Sequence, residues 1–557
     1  MLGTALRVAA VLAGTAATSL AQQREDLVLV LRSLMPLMPA ELQVGAPRAS
    51  AFEAMPELDL ALDARGERNL PDWVIGVLRE RHLAAINDGS LRIELVAGGD
   101  APGPLDQRIA FQGKRDKVQA AVAEFDAMGK MLGRPIEVRA LHLPLPAGAL
   151  PTTVWDPATT GKRLQDATAI WSARGVTRSG GTLRLADLEA RGTLADYSVE
   201  VAERARIADP HVRQVFAGLA ANLSVHSLTG DDLQLTGSWL ASRPDALHQQ
   251  STEVDGITLD QPEHRTTYAS FSGAILSGGA LAVAFRGGAF GSDGGLLVVT
   301  ARYLAPPASD PAPDFLLRPV TAFLAAPSPP LPHRLAWPIG NDDDGPPFRR
   351  LERDGGFSES ALLGLLPQQL GSVELFGGAL LARGDAPVTL GCNRLLAQLA
   401  AEVRTIEWHS TVADDTDPVG TVELVQPALA GHTAAAFLGR ERPLIRDYQV
   451  EIASRSSIAA PMVSIARSGL WLEASADQVG DGWYVAGAWS CAMHGAPRPR
   501  GFADERPLDV QLTDYRTTTL PWDGAMPAGH EHELGQAPPL RPDGKHSRVR
   551  VSLTPRP

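Results

Sequence analysis

Two short motifs carry residue types that could bind a metal ion or catalyse hydrolysis. His530-Glu531-His532 places imidazoles at i and i+2, a spacing that points both rings to one face of a strand. No third ligand lies nearby in the sequence, so this motif is interpreted as a surface loop. Residues 290–294 (Phe-Gly-Ser-Asp-Gly) lack the first glycine of a hydrolase Gly-x-Ser-x-Gly turn. They are predicted to be a glycine-rich loop before a strand at 296–302.

Two further motifs resemble binding loops and are incomplete. Gly161-Lys162-Arg163 lacks the hydroxyl residue of a phosphate-binding loop. Residues 342–345 (Asp-Asp-Asp-Gly) resemble a calcium loop, but Gly340 and Leu351 occupy two ligand positions. We therefore predict no catalytic, cofactor-binding or metal-binding residues, and no enzyme. A secreted hydrolase with its site scattered over loops stays the alternative, because such sites are recognised by geometry.

The elements that would position any site are constrained by composition. The 557 residues suggest three or four domains, and 44% hydrophobic residues with 21% charged residues exclude wholesale disorder. The net charge of −13 argues against a general nucleic-acid binder, which needs a basic face. The 53 glycines and 43 prolines favour many short elements and turns.

The N-terminus has the parts of a secretory signal. Arg7 precedes an apolar run over residues 8–20, and Ser19 and Ala21 are small residues at the −3 and −1 positions of a cleavage site. We expect a signal peptide over 1–21, an exported chain starting at Gln22, and no transmembrane helix thereafter. Export would allow Cys392 and Cys491 to form a disulfide, and two buried free thiols are the equal alternative.

An internal repeat at an offset of about 251 is the most informative feature. Residues 196–219 and 447–470 agree at 12 of 24 positions. Alternating segments on both sides of a Gly/Asp turn then predict a hairpin in each copy. The repeat signature pairs Pro210 with Pro461, Gly218 with Gly469 and Trp239 with Trp489. The two tryptophans are predicted to fill a core on the same face of each copy.

A smaller unit is predicted before each copy, with the order strand–strand–helix–strand. In the first unit, Val118, Val122, Phe125 and Met128 form one helical stripe within 114–129, and residues 136–143 form the closing strand. The predicted fold class is α+β, with two tandem halves, each a small α+β module followed by a β-rich hairpin-containing domain. The predicted boundaries are 22–150, 151–305, 306–350 for a proline-rich linker, 351–430 and 431–557.

The duplicated block resembles a degenerate form of the secretins, the outer-membrane channels of type II and type III secretion systems. The resemblance is carried by residues 207–210, Gly218, 265–267 and 273–279, and in the second copy by 458–461, Gly469, 516–518, Gly524 and Gly529. It implies a non-catalytic exported envelope protein, a scaffold or assembly component of a secretion-type complex. It also implies a location in the periplasm or at the outer membrane, envelope or secretion-system partners, and a homo-oligomer.

A second alternative to the scaffold is an exported β-rich ligand-binding module. Such a module would use tryptophans such as Trp471 and Trp483 to stack on a ligand, for instance a carbohydrate. A cleft with converging His, Asp and Ser would favour the hydrolase, whereas an open α+β module with edge strands that pair readily would favour the scaffold.

Overall fold

Most of the chain after the N-terminal region is described by a computed structural model. The described residues are 27–33, 70–96, 108–145, 148, 150–202, 205–251, 257–287, 292–306, 315–324, 326–327, 354–366, 371–376, 378–384, 386–414, 417–453, 456–480, 482–495, 497–502, 508–537 and 546–556. The predicted signal peptide, the acidic motif at 342–345 and most of the predicted linker lie outside them.

The first half of the chain is built mainly of antiparallel strands. Its elements are β1 (Leu27–Ser33), α1 (Leu70–Arg81), α2 (Leu83–Asn87), β2 (Leu91–Val96), β3 (Arg108–Lys114), α3 (Arg115–Leu132), β4 (Ile136–Pro144), β5 (Val154–Trp155), α4 (Pro157–Leu164), β6 (Trp171–Thr177), β7 (Gly181–Ala202), β8 (Ala205–Ser227), β9 (Asp232–Ser251), β10 (Thr258–Leu276), β11 (Ala280–Gly287) and β12 (Ser292–Tyr303). The strand expected at 296–302 lies within β12.

The second half repeats this preference for long strands. Its elements are β13 (Phe315–Pro319), a 3-10 turn (Thr321–Phe323), β14 (Ala326–Pro327), β15 (Asp354–Gly355), α5 (Glu359–Leu365), β16 (Gly371–Phe376), β17 (Ala379–Gly384), α6 (Ala386–Glu402), β18 (Thr405–Asp414), β19 (Asp417–Leu429), β20 (Thr433–Ala453), β21 (Ser456–Val479), β22 (Gly482–His494), β23 (Arg498–Phe502), β24 (Leu508–Leu512), β25 (Tyr515–Met526), β26 (His532–Ala537) and β27 (Ser547–Arg556).

Two large sheets dominate the molecule. The eight-stranded sheet has the order β25-β22-β21-β20-β10-β9-β8-β7. The nine-stranded sheet has the order β26-β27-β18-β19-β11-β12-β4-β6, with β5 paired to β11 off this path. One hydrophobic core contains side chains from both sheets, among them Trp239 and Trp489 from the first and Trp408 and Leu297 from the second. The sheets therefore pack face to face around this core.

The α+β fold class is wrong. Strands make up 67% of the structure and helices 18%, and the large sheets are antiparallel. One reason for the high strand content is that the strands are long. Strand β21 has 24 residues and β8 has 23, whereas an ordinary strand has about five or six. Another reason is the strand at 136–143, which is predicted to close the first small unit but, as β4, pairs inside the nine-stranded sheet.

The described residues also form four small sheets. Two are three-stranded, with the orders β1-β3-β2 and β13-β17-β16, and two are the pairs β14-β15 and β23-β24. The stripe of α3 packs on the first of them, where Phe125 meets Phe111 edge to face at 5.8 Å between ring centroids. Leu381 of β17 belongs to the same hydrophobic cluster, so the two small units are in contact. Strand β13 lies in the predicted linker and pairs with β17, so that part of the linker is a strand.

Among the described residues, no helix has the length and apolar character needed to cross a membrane.

Candidate functional site: junctions and open edges of the large sheets

The two halves pair their strands in the same register. In the hairpin β7–β8, Leu188 lies opposite Gly218, and in β20–β21, Gly439 lies opposite Gly469. Each partner differs from its counterpart by 251 positions. Both hairpins also carry a register shift at the equivalent place, between Leu194 and Asp196 and between Ile445 and Asp447. Strand pairing therefore follows the repeat that the sequence indicates.

The glycines and tryptophans of the repeat signature occupy matching positions. A Cβ on Gly218 would collide with the carbonyl oxygen of Asp187, and a Cβ on Gly469 would collide with that of Leu438. Both tryptophans are fully buried in the one core: Trp239 packs 5.6 Å from Phe285, and Trp489 packs 6.2 Å from Trp408, between ring centroids.

The prolines of the signature face equivalent partners. Pro210 lies opposite Tyr197 and Pro461 lies opposite Tyr448. Pro210 is exposed, whereas Pro461 is buried, so the environments differ although the register is the same.

The halves join head to tail in both large sheets. In the eight-stranded sheet the first half supplies β7 to β10 and the second half supplies β20, β21, β22 and β25, and the junction is the pair β10·β20. In the nine-stranded sheet the corresponding junction is β11·β19. In both sheets an end strand of the first half's set thus pairs with an end strand of the second half's set.

A buried ion pair lies beside the β10·β20 junction and is hydrogen-bonded across it. Arg467 of β21 donates from Nε to Glu441 of β20 at 2.8 Å, and the Thr266 hydroxyl of β10 donates to the other oxygen of that carboxylate at 2.6 Å. Arg467 is only 2% exposed. A buried pair of this kind needs all its partners, because loss of one leaves an uncompensated charge in the interior. It therefore ties three strands from both halves together.

A second group of charges lies on the face of the sheet that continues the core. Arg265 of β10 lies directly opposite Arg440 of β20. Two arginines at facing positions repel each other, and carboxylates of the first half offset this repulsion. Asp245 of β9 bonds Arg265 at 2.8 Å and lies 3.8 Å from Arg440, while Glu263 lies 3.4 Å from Arg440.

Polar contacts also cross between the two halves at the junction. The Ser270 hydroxyl accepts from the backbone N–H of Ala435 at 2.7 Å, and the Thr405 hydroxyl accepts from that of Ala274 at 2.9 Å. Glu407 of β18 accepts from the Thr153 N–H at 2.8 Å and is paired with Arg556. The junction is therefore bonded by both the backbone and the side chains.

The head-to-tail order leaves two complementary edges in each large sheet. The eight-stranded sheet ends in β25 and β7, and the nine-stranded sheet ends in β26 and β6. By the repeat offset, β25 of the second half is equivalent to β10 of the first half, and β7 of the first half is equivalent to β20 of the second half. Each edge therefore corresponds to one side of the existing junction.

The chemical motifs of the sequence are placed apart. His530 lies in a turn, and His532 begins β26, where its ring is 5.8 Å from that of Trp522. Gly161 lies inside α4, and Ser292 is the first residue of β12. No group of three or more His, Cys, Asp or Glu side chains within the described ranges could hold a metal ion.

A cavity of about 180 Å³ lies where the hairpins β7–β8 and β9–β10 separate. Pairing between β8 and β9 ends at Gly218 and Ser242, and the two hairpins diverge beyond that point. The cavity is lined in part by Glu189, Arg191 and Asp245. Glu189 therefore lies on the same side of the first half as the charges of the junction.

The remaining candidate residues are buried. Cys392 belongs to the cluster around α6 and Cys491 to the main core, and each is a free thiol. The structure therefore has two buried thiols, the alternative to a disulfide. Trp471 stacks against Phe437 at 4.8 Å between centroids, and Trp483 is 4% exposed. Neither tryptophan presents an open face for a ligand.

Comparison with known proteins yields weak structural likeness alone. No protein-family model and no curated protein matches the chain. Among solved structures, the InvG secretin domain from the Salmonella SPI-1 injectisome is 12% identical, with a TM-score of 0.20, and covers 40% of this chain and 75% of its own. The Klebsiella pneumoniae type II secretion system outer membrane complex, with PulD, PulS and the PulC HR domain, is 8% identical, with a TM-score of 0.22, and covers 98% of this chain and 77% of the other. These neighbours are secretin components, at scores that carry no argument about function.

Proposed function

We propose that the chain is a non-catalytic, exported envelope protein, related to the secretins, that serves as a scaffold or assembly component of a secretion-type complex. It works by pairing strand edges with further copies of itself and with envelope proteins. The secretin relationship rests on the sequence resemblance, and the mode of action rests on the geometry of the sheets.

The observation that carries the proposal is the pair of complementary edges in each large sheet, which have no partner strand among the described residues. An edge strand presents unpaired N–H and C=O groups and pairs readily with another chain. Pairing that joins unlike edges is heterologous, so it continues from one chain to the next and closes into a ring or extends as a filament. The existing β10·β20 junction is an example of this pairing within one chain.

The placement of the large side chains supports a structural role over the ligand-binding alternative. Tryptophans that would stack on a ligand are committed to the core, and the charges Glu441 and Arg467 hold strands together. The described cavity is small compared with ligand pockets, which usually enclose about 300 Å³ or more.

The proposal is tested on the purified full chain by multi-angle light scattering over a hundredfold range of concentration, with a pull-down from an envelope extract. We expect a mass several times that of one chain, or co-purification of envelope proteins. An unrelated exported protein of similar acidity serves as the control. A strict monomer that captures no envelope protein contradicts the proposal. If that monomer hydrolyses a generic ester, peptide or glycoside, the hydrolase function replaces the scaffold.

A further inference from the structure

We infer that β25 of one chain pairs antiparallel with β7 of a second copy in a single register, in which Arg516 lies opposite Glu189. This inference rests on the proposed self-association and specifies the surface, the partner and the residues that select it. The partner is a second copy because the two edges match the two sides of a junction that the chain already forms with itself.

The register follows from the existing junction. Inside the chain, Ala269 of β10 lies opposite Ala436 of β20, and Arg265 lies opposite Arg440. Each half contains the same strand pairing, which identifies the equivalent residues on the edges. Leu520 lies opposite Trp489 in the second half, and Ala269 lies opposite Trp239 in the first, so Leu520 is the equivalent of Ala269. Transfer of the register then places Leu520 opposite Leu185 and Arg516 opposite Glu189.

The facing side chains in this register are compatible. Leu185 is buried in the main core and Leu520 packs partly against it, so their pairing would extend the core across the seam between two chains. Thr518 would face Asp187, a small polar pair. A shift of one residue would turn these side chains to the opposite face, so the apolar pair excludes odd shifts. Among the even shifts, the register is the one that the internal junction already adopts.

The charges distinguish the seam from the internal junction. Glu189 and Arg516 are exposed in the single chain and would form an opposite-charge pair across the seam. If β25 instead met β20 of another copy, Arg516 would face Arg440. Asp245 offsets the facing arginines inside the chain, and its counterpart is Gly495, the residue that follows β22. The wrong pairing therefore lacks the Asp245 carboxylate, and the counterpart of Glu263 is Asp514, which already pairs with Arg498.

Cross-linking between separate chains tests the edge and the register. One full-length chain carries D187C and another carries T518C, and the two are mixed and mildly oxidised. The two native thiols are buried, so they do not compete. We expect a disulfide-linked dimer in the mixture and none with either variant alone. Replacing D187C by L188C, one position along and on the other face, should reduce the yield at least about tenfold.

Two outcomes overturn the register. Dimers of T518C alone would mean that the edge pairs with itself, and equal yields from D187C and L188C would mean that no register is selected. Oligomers without any 187–518 cross-link would reject this seam while leaving the scaffold function intact. A monomeric chain would reject both, so failure of the inference and failure of the proposed function are distinguishable.

A charge exchange tests the selecting pair. R516E and E189R should each weaken self-association about fivefold, because each places like charges opposite one another. The double variant R516E/E189R restores an opposite pair and should return to within about twofold of the original. R184E is the control: it reverses an arginine charge on the other face of β7 and should leave the strength of self-association unchanged. If each single variant self-associated as tightly as the original protein, or if the double variant self-associated more weakly than either single variant, the role of this pair would be overturned.

Discussion

Gly218 and Gly469 occupy the same place in two hairpins, 251 positions apart, and each backbone lies against the carbonyl oxygen of an equivalent residue, Asp187 in one case and Leu438 in the other. The two paired strands of each hairpin approach so closely that a side chain at either glycine position would collide with the backbone of the neighbouring strand. Strand packing therefore imposes the requirement for glycine at both positions, and Gly439, which lies opposite Gly469, is in equally close contact with the carbonyl oxygen of Ser468.

Substitution of these glycines should destabilise the protein. Gly218→Ala should lower the free energy of unfolding by about 2 kcal/mol or more, because the new Cβ meets backbone and the φ of +130° is rarely adopted by other residues. Gly524→Ala is the control, since nothing lies within 4 Å of its position. Chemical denaturation of both variants measures the difference. Equal stabilities would contradict the close approach.

The buried ion pair should behave as a unit. Arg467→Met should cost about 3 kcal/mol, because Glu441 would remain charged and buried beside Thr266. The double variant Arg467→Met/Glu441→Gln removes both charges and should recover part of that loss. The free energies of the four proteins in this cycle, measured by denaturation, check the prediction. Strictly additive losses would show that the two side chains do not interact.

The two core tryptophans should respond differently to loss of the indole N–H. Trp489 donates from Nε1 to the buried Ser410 hydroxyl at 3.1 Å, whereas the buried Nε1 of Trp239 has no hydrogen-bond partner within the part of the chain that the structure describes. Trp489→Phe should therefore be more destabilising than Trp239→Phe by about 1 kcal/mol, since only the former loses a hydrogen bond. Thermal and chemical denaturation compare the two variants directly, and a larger loss at Trp239 would refute this reasoning.

The thiols should be protected from alkylation in the folded protein. Burial raises the pKa of the Cys491 thiol to about 12 and also raises the pKa of Cys392. Since the thiolate is the reactive form, iodoacetamide at pH 8 should modify both residues only after unfolding. The stability that this protonated state supplies is present below the ordinary thiol pKa and is lost as the pH rises towards about 12. Mass spectrometry of native and denatured samples gives the readout, and rapid native labelling contradicts it.

Local patterning predicts much of the fold where strands are short or the signal is periodic. The helix expected at 114–129 is α3 (Arg115–Leu132), and the hairpin turns precede β9 and β22. The parts of the long strands that extend beyond the core were not predicted. In β8, residues such as Asp209 and Pro210 carry no hydrophobic alternation, and partner strands rather than local propensity hold them extended.

The junction residues could not be identified from sequence alone. Glu441 and Arg467 lie 26 positions apart, and nothing in their neighbourhoods shows that the two strands are adjacent. The repeat offset was the available signal: it identifies equivalent strands, but it does not say which strand of one half meets which strand of the other. That choice depends on sheet order, a long-range property of the whole chain.

The covalent link between the halves has a consequence for stoichiometry and kinetics. Every second junction in an assembly of such chains is closed within one polypeptide, at an effective concentration set by the connection and independent of expression level. Growth would add repeats two at a time, so the total number of repeats in a complete assembly would always be even. The two kinds of junction would also be free to acquire different strengths, because substitutions such as Asp245 against Gly495 alter one and leave the other unchanged.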